Sequence, residues 1–384
     1  MFCTILQDIK TNNILGETAA LLLSVLLLNV HPLLTILFFI ILLAKCRKNH
    51  IRLFGDLPSL LFLASVLLYA YVSTLNGFVT MHNIVWTTVP ALLAFCIGRK
   101  MVYQLNSQKN ILLWLLVMAL FLALPHLFVT IIDIFSNGLV NPERTLSTLG
   151  DDSDAQRSVT QRTVELSLAI AGIGVLFYSN RKEYPYAKMF ILMSLIAELC
   201  SLHYVSRTGI VLFLIAIIIG IGLNKMSFKT VLLIGLIILM AYFLQDTALF
   251  NVFKGRESVS GSDFASAGGR TERWAMGFMM LMNNPMGYSI DGWYAHNFWL
   301  DFGREGGLWS FATLALFSLC ILITSIKLFT GRLDKPLRFA ILLFSLIFIA
   351  TLFTEPIHTG ARAYMFLYFM FCGMILSLRK RYCK

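Results

Sequence analysis

GGRTERWAMGFMMLMNNPMGYSIDGWYAHNFWLDFGREGG, residues 268–307, is the longest interval of this chain that is neither a purely apolar run nor low in complexity. It holds Arg270 and Arg273, a segment of helical periodicity, a Pro/Gly turn from Asn283 to Gly287, and Ala295-His296-Asn297 leading into another apolar block. What surrounds it decides the fold. On both sides the sequence is a succession of apolar runs of about 17 to 25 residues, the length at which a helix crosses the hydrocarbon core of a bilayer. The chain has 384 residues, of which 58% are hydrophobic and 13% charged, whereas an ordinary soluble domain carries about 25% charged residues. These proportions imply an all-α polytopic membrane protein, a single membrane domain over residues 1–384, with a loop at 247–306 that carries short interfacial helices.

Spanning helices are expected near 14–30, 32–46, 55–76, 83–98, 111–133, 160–179, 187–206, 208–224, 229–246, 307–327, 337–354 and 363–379. The charges between them alternate. Basic residues follow the second, fourth, sixth, eighth and tenth spans: Arg47 and Lys48, Arg99 and Lys100, Arg181 and Lys182, Lys225, then Lys327 and Arg332. The chain ends RKRYCK, and the short loops near His31 and at 77–82 have no Lys or Arg. Lysine and arginine are retained on the cytoplasmic side, so the expectation is twelve spans with both termini cytoplasmic. The formal net charge of +11 then sets topology and implies no nucleic-acid partner. None of the seven cysteines falls in an outer loop of this topology, and no Cys/His spacing resembles a metal site. The N-terminus lacks a basic segment followed by a cleavage site, so the first helix is read as the insertion signal.

Arginines on the outer side run against the insertion bias and need a reason. Arg207, in His203-Tyr204-Val205-Ser206-Arg207-Thr208-Gly209, is expected at the membrane surface, with His203 one helical turn before it on the same face and Gly209 turning the chain into the next helix. It either snorkels or grips a phosphate, since guanidinium matches phosphate oxygens bidentately and keeps its charge. Arg270 stands before a segment in which Trp274, Phe278, Leu281 and Met282 share one face, the pattern of a helix lying on the bilayer surface. The N-terminus of that helix offers free N–H groups to an anion, unless the segment is an anchor and Arg273 merely pairs with Glu272. His296 sits at the water–membrane boundary, where an imidazole can accept a proton near neutral pH. Asn297 has the chemistry of an N-cap for a short helix starting at Phe298. Arg144, Arg157, Arg162, Glu355, His358 and Arg362 are further candidates to border an outer cavity. Glu198 is an intramembrane acid, functional or the partner of an arginine. His126, after Pro125, is read as satisfying a helix kink, and the run Asp151-Asp152-Ser153-Asp154 as solvated loop rather than a metal site.

In order along the chain, SRTG at 206–209, GGR at 268–270, Pro285, HN at 296–297 and Gly306-Gly307 resemble the O-antigen ligase/polymerase superfamily, glycosyltransferases of the bacterial inner membrane with the C-type membrane fold. The resemblance covers roughly residues 190–325. It implies a metal-independent, cofactor-free, inverting transferase acting on the periplasmic side, with a glycan on undecaprenyl diphosphate as donor. By the same resemblance Arg207 and Arg270 hold the diphosphate and His296 activates the acceptor hydroxyl. Arg273, His203, Asn297 and Arg157 are possible supports. The acceptor is lipid A-core for a ligase or a second lipid-linked repeat unit for a polymerase. Spacing from His296-Asn297 to Gly307 resembles ligases, although Trp309-Ser310 departs from the small/Thr pattern after that glycine and the chain length suits a polymerase; the ligase is narrowly favoured. A lipid-linked oligosaccharide transporter is the rival of another class, but it would place its charges at the bilayer midplane between repeated halves, and no internal repeat is visible. A membrane scaffold without chemistry is the remaining alternative.

Overall fold

The computed structural model describes residues 36–37, 40, 54–77, 79–105, 107–139, 162–163, 166–167, 187–204, 206–222, 270–290, 293–355 and 357–382. Every described element is helical: α1 (Leu57–Asn76), α2 (Met81–Gln104), α3 (Gln108–Asn137), α4 (Ala187–His203), α5 (Arg207–Gly222), α6 (Arg270–Asn283), α7 (Phe298–Phe329), α8 (Lys335–Thr354), α9 (Ile357–Gly360) and α10 (Arg362–Tyr382). Six of these, α1, α2, α3, α7, α8 and α10, are long and apolar enough to cross a membrane. The protein is a polytopic helical membrane protein. The spans expected at 14–30 and 229–246 lie outside the described residues. Of those at 32–46 and 160–179, only residues 36–37, 40, 162–163 and 166–167 are described, all of them helical.

Local chemistry starts the helices. Asp56, Thr80, Ser107 and Asn297 each accept a backbone N–H of the first turn, in α1, α2, α3 and α7 respectively, satisfying a donor that the helix itself leaves open. Two helices overrun their expected ends where a charge at that end is neutralised inside the protein: Arg99, expected in a loop, and Asp133, the last residue of its expected span. α2 continues to Gln104 since buried Arg99 pairs with Asp56 at 2.7 Å. α3 passes Asp133, which is fully buried against Arg162 and Tyr204.

Close backbone approach organises the bundle around α10. A Cβ on Gly98 would lie 1.9 Å from Met370 O, and one on Gly373 would lie 2.2 Å from Phe95 O, so α2 and α10 meet through glycine where apolar burial alone gives no preference for helix over lipid. Phe62 of α1 then packs on Phe95 (4.5 Å), Phe369 (4.8 Å) and Phe317 (5.1 Å), joining α2, α10 and α7. The two ends of the bundle differ. At one end Arg99, the α2–α3 turn, the α7–α8 turn and Arg381 come together: Asp334 N–H donates to Gln108 Oε1 (2.6 Å) and Arg381 donates to Leu105 O (3.0 Å). The other end gathers the start of α2, the end of α3, the α4–α5 break, α6, and residues 284–290, 293–297, 355 and 357–362.

The α4–α5 break differs from expectation. The chain leaves the helix at Tyr204, and Ser206 caps α5 by accepting the Gly209 N–H (3.2 Å). His203 and Arg207 therefore lie on separate helices and do not share a face. Gly209 makes no turn; it sits inside α5, where a Cβ would fall 1.9 Å from Ser201 Oγ. Its role is close packing of α5 on α4.

Candidate active site

Of the loop expected at 247–306, residues 247–269 and 291–292 lie outside the described residues; the rest forms a helix, a turn and a strap held by α7. α6 begins at Arg270 and buries Gly277 and Leu281, while Met276, Met279 and Met282 are exposed. Of the four residues expected on one apolar face, Leu281 is buried, whereas Phe278 and Met282 are exposed. Trp274 packs tilted against Phe353 (5.9 Å) and Phe278 edge-on to Phe311 (6.2 Å). Trp293 and Tyr288 fill the far side of α6, Trp293 against Gly277 and Tyr288 donating to Gly277 O (3.3 Å).

The turn docks on a break in α7. Gly307 has φ 80° and interrupts the helix, which frees the Arg304 carbonyl and the Leu308 N–H that regular helix would pair with each other. Both find partners in the turn: Tyr288 N–H donates to Arg304 O and Leu308 N–H to Pro285 O, each at 2.8 Å. Asn76 of α1 donates to Met286 O, and Ser73 donates to Glu305 O (3.0 Å). Beneath this junction Tyr69 O–H donates to Glu305 (2.7 Å), with His358 Nε2 2.9 Å from the same carboxylate oxygen. His358 therefore supports the junction from inside the bundle.

His296 is the one described non-glycine residue with positive φ, 53°. Its neighbours are fixed by α7. Ala295 N–H donates to Asp301 Oδ1 (2.8 Å), Asn297 N–H to Asp301 Oδ2 (3.3 Å), and Arg304 donates to Trp293 O. Asn297 is the N-cap expected of it, accepting Leu300 N–H at 3.2 Å. Burial, then the charges of Arg270 and Arg273, hold the His296 imidazole down to about 4. It is neutral at physiological pH, and its buried Nδ1 has no hydrogen-bond partner among the described residues.

Arg270 and the start of α5 converge on one carboxylate. Glu355 Oε1 accepts from Arg270 at 3.3 Å and from the Thr208 hydroxyl at 3.1 Å. The N-termini of α5 and α6, each the positive end of a helix, meet there. Arg270 spends a single Nη on this contact. The Arg207 backbone opens α5, so its Cα lies beside Thr208; its side chain is outside the described residues, as is the whole of Arg157. His203 is not brought to this cluster: its Nδ1 lies 3.2 Å from Leu139 O, and its ring packs edge-on to Tyr204 at 4.8 Å. Arg162 is buried with Asp133 and Tyr204, and Arg362 donates to Asn83 (3.3 Å). Glu198 lies buried in α4 with Oε2 unpartnered among the described residues.

Beside the cations lies an apolar groove of about 550 Å³ between α6, α7 and α8. Trp274, Phe278, Trp299, Phe311 and Phe353 line it, and Asn297 is at its polar end. Among the described residues no group of three His, Cys, Asp or Glu side chains is placed to hold a metal ion; the positive charge here is guanidinium and helix N-terminus. Asp301 and Glu355 carry the geometry without having been singled out for these roles in the sequence. For Asp301 the signal is its place four residues after Asn297, one turn into the helix that Asn297 caps. No family model matches the chain, and no curated protein matches it either.

Proposed function

We propose that this protein is a glycosyltransferase of the bacterial inner membrane, with twelve spans, that moves a glycan from undecaprenyl diphosphate to an acceptor hydroxyl on the periplasmic side. The observation that carries the proposal is an imidazole held neutral by burial and by the charges of Arg270 and Arg273, its Nδ1 without a partner among the described residues, next in the chain to Asn297 of the apolar groove. In the step proposed, the acceptor oxygen attacks the anomeric carbon, the carbon–oxygen bond to the diphosphate breaks with inversion, and His296 takes the hydroxyl proton. The leaving diphosphate gains negative charge as that bond breaks. Arg270, Arg207 and the α5 and α6 N-termini are suited to hold it, since fixed cations and dipoles aimed at developing charge stabilise the transition state most where water is excluded. The groove offers the isoprenoid chain an apolar berth beside its own headgroup site.

Lipid A-core is the acceptor we favour, making the enzyme an O-antigen ligase. The assay is purified protein with an undecaprenyl-diphosphate glycan, with and without lipid A-core. Conjugate formation is expected; elongation of the donor alone would identify a repeat-unit polymerase, and relocation without new bonds a transporter. His296→Ala should reduce kcat by roughly 10²- to 10⁴-fold, the usual contribution of a positioned general base, with donor affinity retained. Arg207→Ala and Arg270→Ala should each reduce turnover at least ~10²-fold, the scale for losing one charge-stabilising donor, in protein that still inserts and folds. Full activity in either arginine variant would remove it from the diphosphate site.

A further inference from the structure

His296 sits in a backbone conformation that a side chain bearing a Cβ disfavours, so something must over-determine it. The hydrogen bonds named above do so from one helix. The two oxygens of the Asp301 carboxylate receive the N–H groups on either side of His296, at 2.8 Å from Ala295 and 3.3 Å from Asn297. Asp301 N–H returns a bond to Asn297 O (2.8 Å), and Asp301 is itself 1% exposed. One turn further, Arg304 holds Trp293 O and is anchored by Glu305 at 2.8 Å. Alternate residues of the strap, 293, 295 and 297, are thereby tied to the first two turns of α7. His296, between two of the ties, spends no backbone bond on them.

We infer that Asp301 is a positioning residue, a carboxylate clamp that holds the His296 imidazole at the cation cluster by bracketing it on both sides. The inference rests on His296 acting in the proposed transfer, but the clamp has consequences independent of that. A carboxylate can accept both amides at once; an asparagine presents an NH₂ to one of them. Asp301→Asn therefore keeps the volume and loses one tie, and Asp301→Ala loses both.

The test is hydrogen exchange followed by mass spectrometry on full-length protein in detergent or nanodiscs, with the rate of carbethoxylation of His296 measured in the same samples. Expected for Asp301→Asn is exchange of the Ala295 and Asn297 amides faster by about tenfold or more, as local opening becomes easier, with α7 beyond Gly307 protected as before. His296 should be modified faster as well. In a transfer assay kcat should fall with the donor KM unchanged, since the clamp places the base and does not touch the donor. Unchanged exchange and unchanged modification in both variants would overturn the clamp. Faster exchange with kcat intact would overturn the positioning role and leave a structural one. If wild-type protein transfers no glycan, the proposed reaction fails, and exchange with modification still decides whether Asp301 holds His296. Should Asp301→Ala not fold, Asp301→Asn carries the test alone.

Discussion

At the scale of single residues the tension is in His296, an imidazole proposed as a base yet flanked by the positive charge of Arg270 and Arg273. Burial, with Arg270 and Arg273, brings it to about 4, far below the pH at which a base is most effective. Bound diphosphate would supply the missing negative charge and raise it again. The acid limb of kcat/KM, which reports free enzyme, is therefore expected near 4, and that of kcat, which reports the complex, nearer the ordinary 6.5. A kcat/KM limb at 6.5 would mean that another group is titrating. Stability carries the same sign. The folded protein holds this histidine below its unfolded value, so at this site the unfolded chain binds more protons between 6.5 and 4, and the residue's own contribution to stability falls as pH drops through that window. His296→Gln should flatten that part of the dependence, measured as melting temperature against pH.

Among the elements, the α7 break is the joint on which the site is mounted. Gly307 combines φ 80° with a Cβ position 2.7 Å from Pro285 O and 3.3 Å from Val72. Alanine there would meet both backbone strain and the turn that accepts the Leu308 N–H. Gly307→Ala should cost about 1–3 kcal/mol and lower turnover together with the melting temperature, because the displaced turn carries the strap behind it. An unchanged melting curve would show that the turn is not fixed through this junction. The part of this joint that was legible in the sequence is the part set locally. Asn297 as an N-cap and the short helix from Phe298 follow from cap chemistry a few residues long, whereas the break at Gly307 is not read from the sequence. What the sequence hides is pairing across distance. Arg99 looks like a loop charge until Asp56 meets it, and Glu355 is one acid among several until Thr208 and Arg270 share it. His203 and Arg207 have helical spacing, but the Ser206 side chain competes for the backbone and starts a new helix between them. The exchange of Arg304 O and Leu308 N–H to partners in the turn has no one-dimensional signature at all.

For the molecule as a whole, the decisive property is the separation of charge between its two ends. Arg99, Lys100, Lys109, Lys327, Arg332, Lys335, Arg338 and Arg379 to Arg381 stand at the end where α2 turns into α3 and α7 into α8. His296, Arg270 and Glu355 stand at the opposite end, reached by α7 and α8 in single crossings between them. If lysine and arginine are retained in the cytoplasm on insertion, the expected orientation turns the imidazole end outward, toward the compartment in which the proposed transfer would take place. Single cysteines in a cysteine-free background test this directly. Ser289→Cys, exposed in the strap beyond the docked turn, should react with a membrane-impermeant maleimide applied to intact spheroplasts. Arg332→Cys, in the α7–α8 turn, should react only after permeabilisation. The reverse pattern would put the cations and the imidazole in the cytosol. The fold would stand unchanged, but a periplasmic transfer would then be impossible at this site, because donor diphosphate and acceptor would both lie across the bilayer from His296.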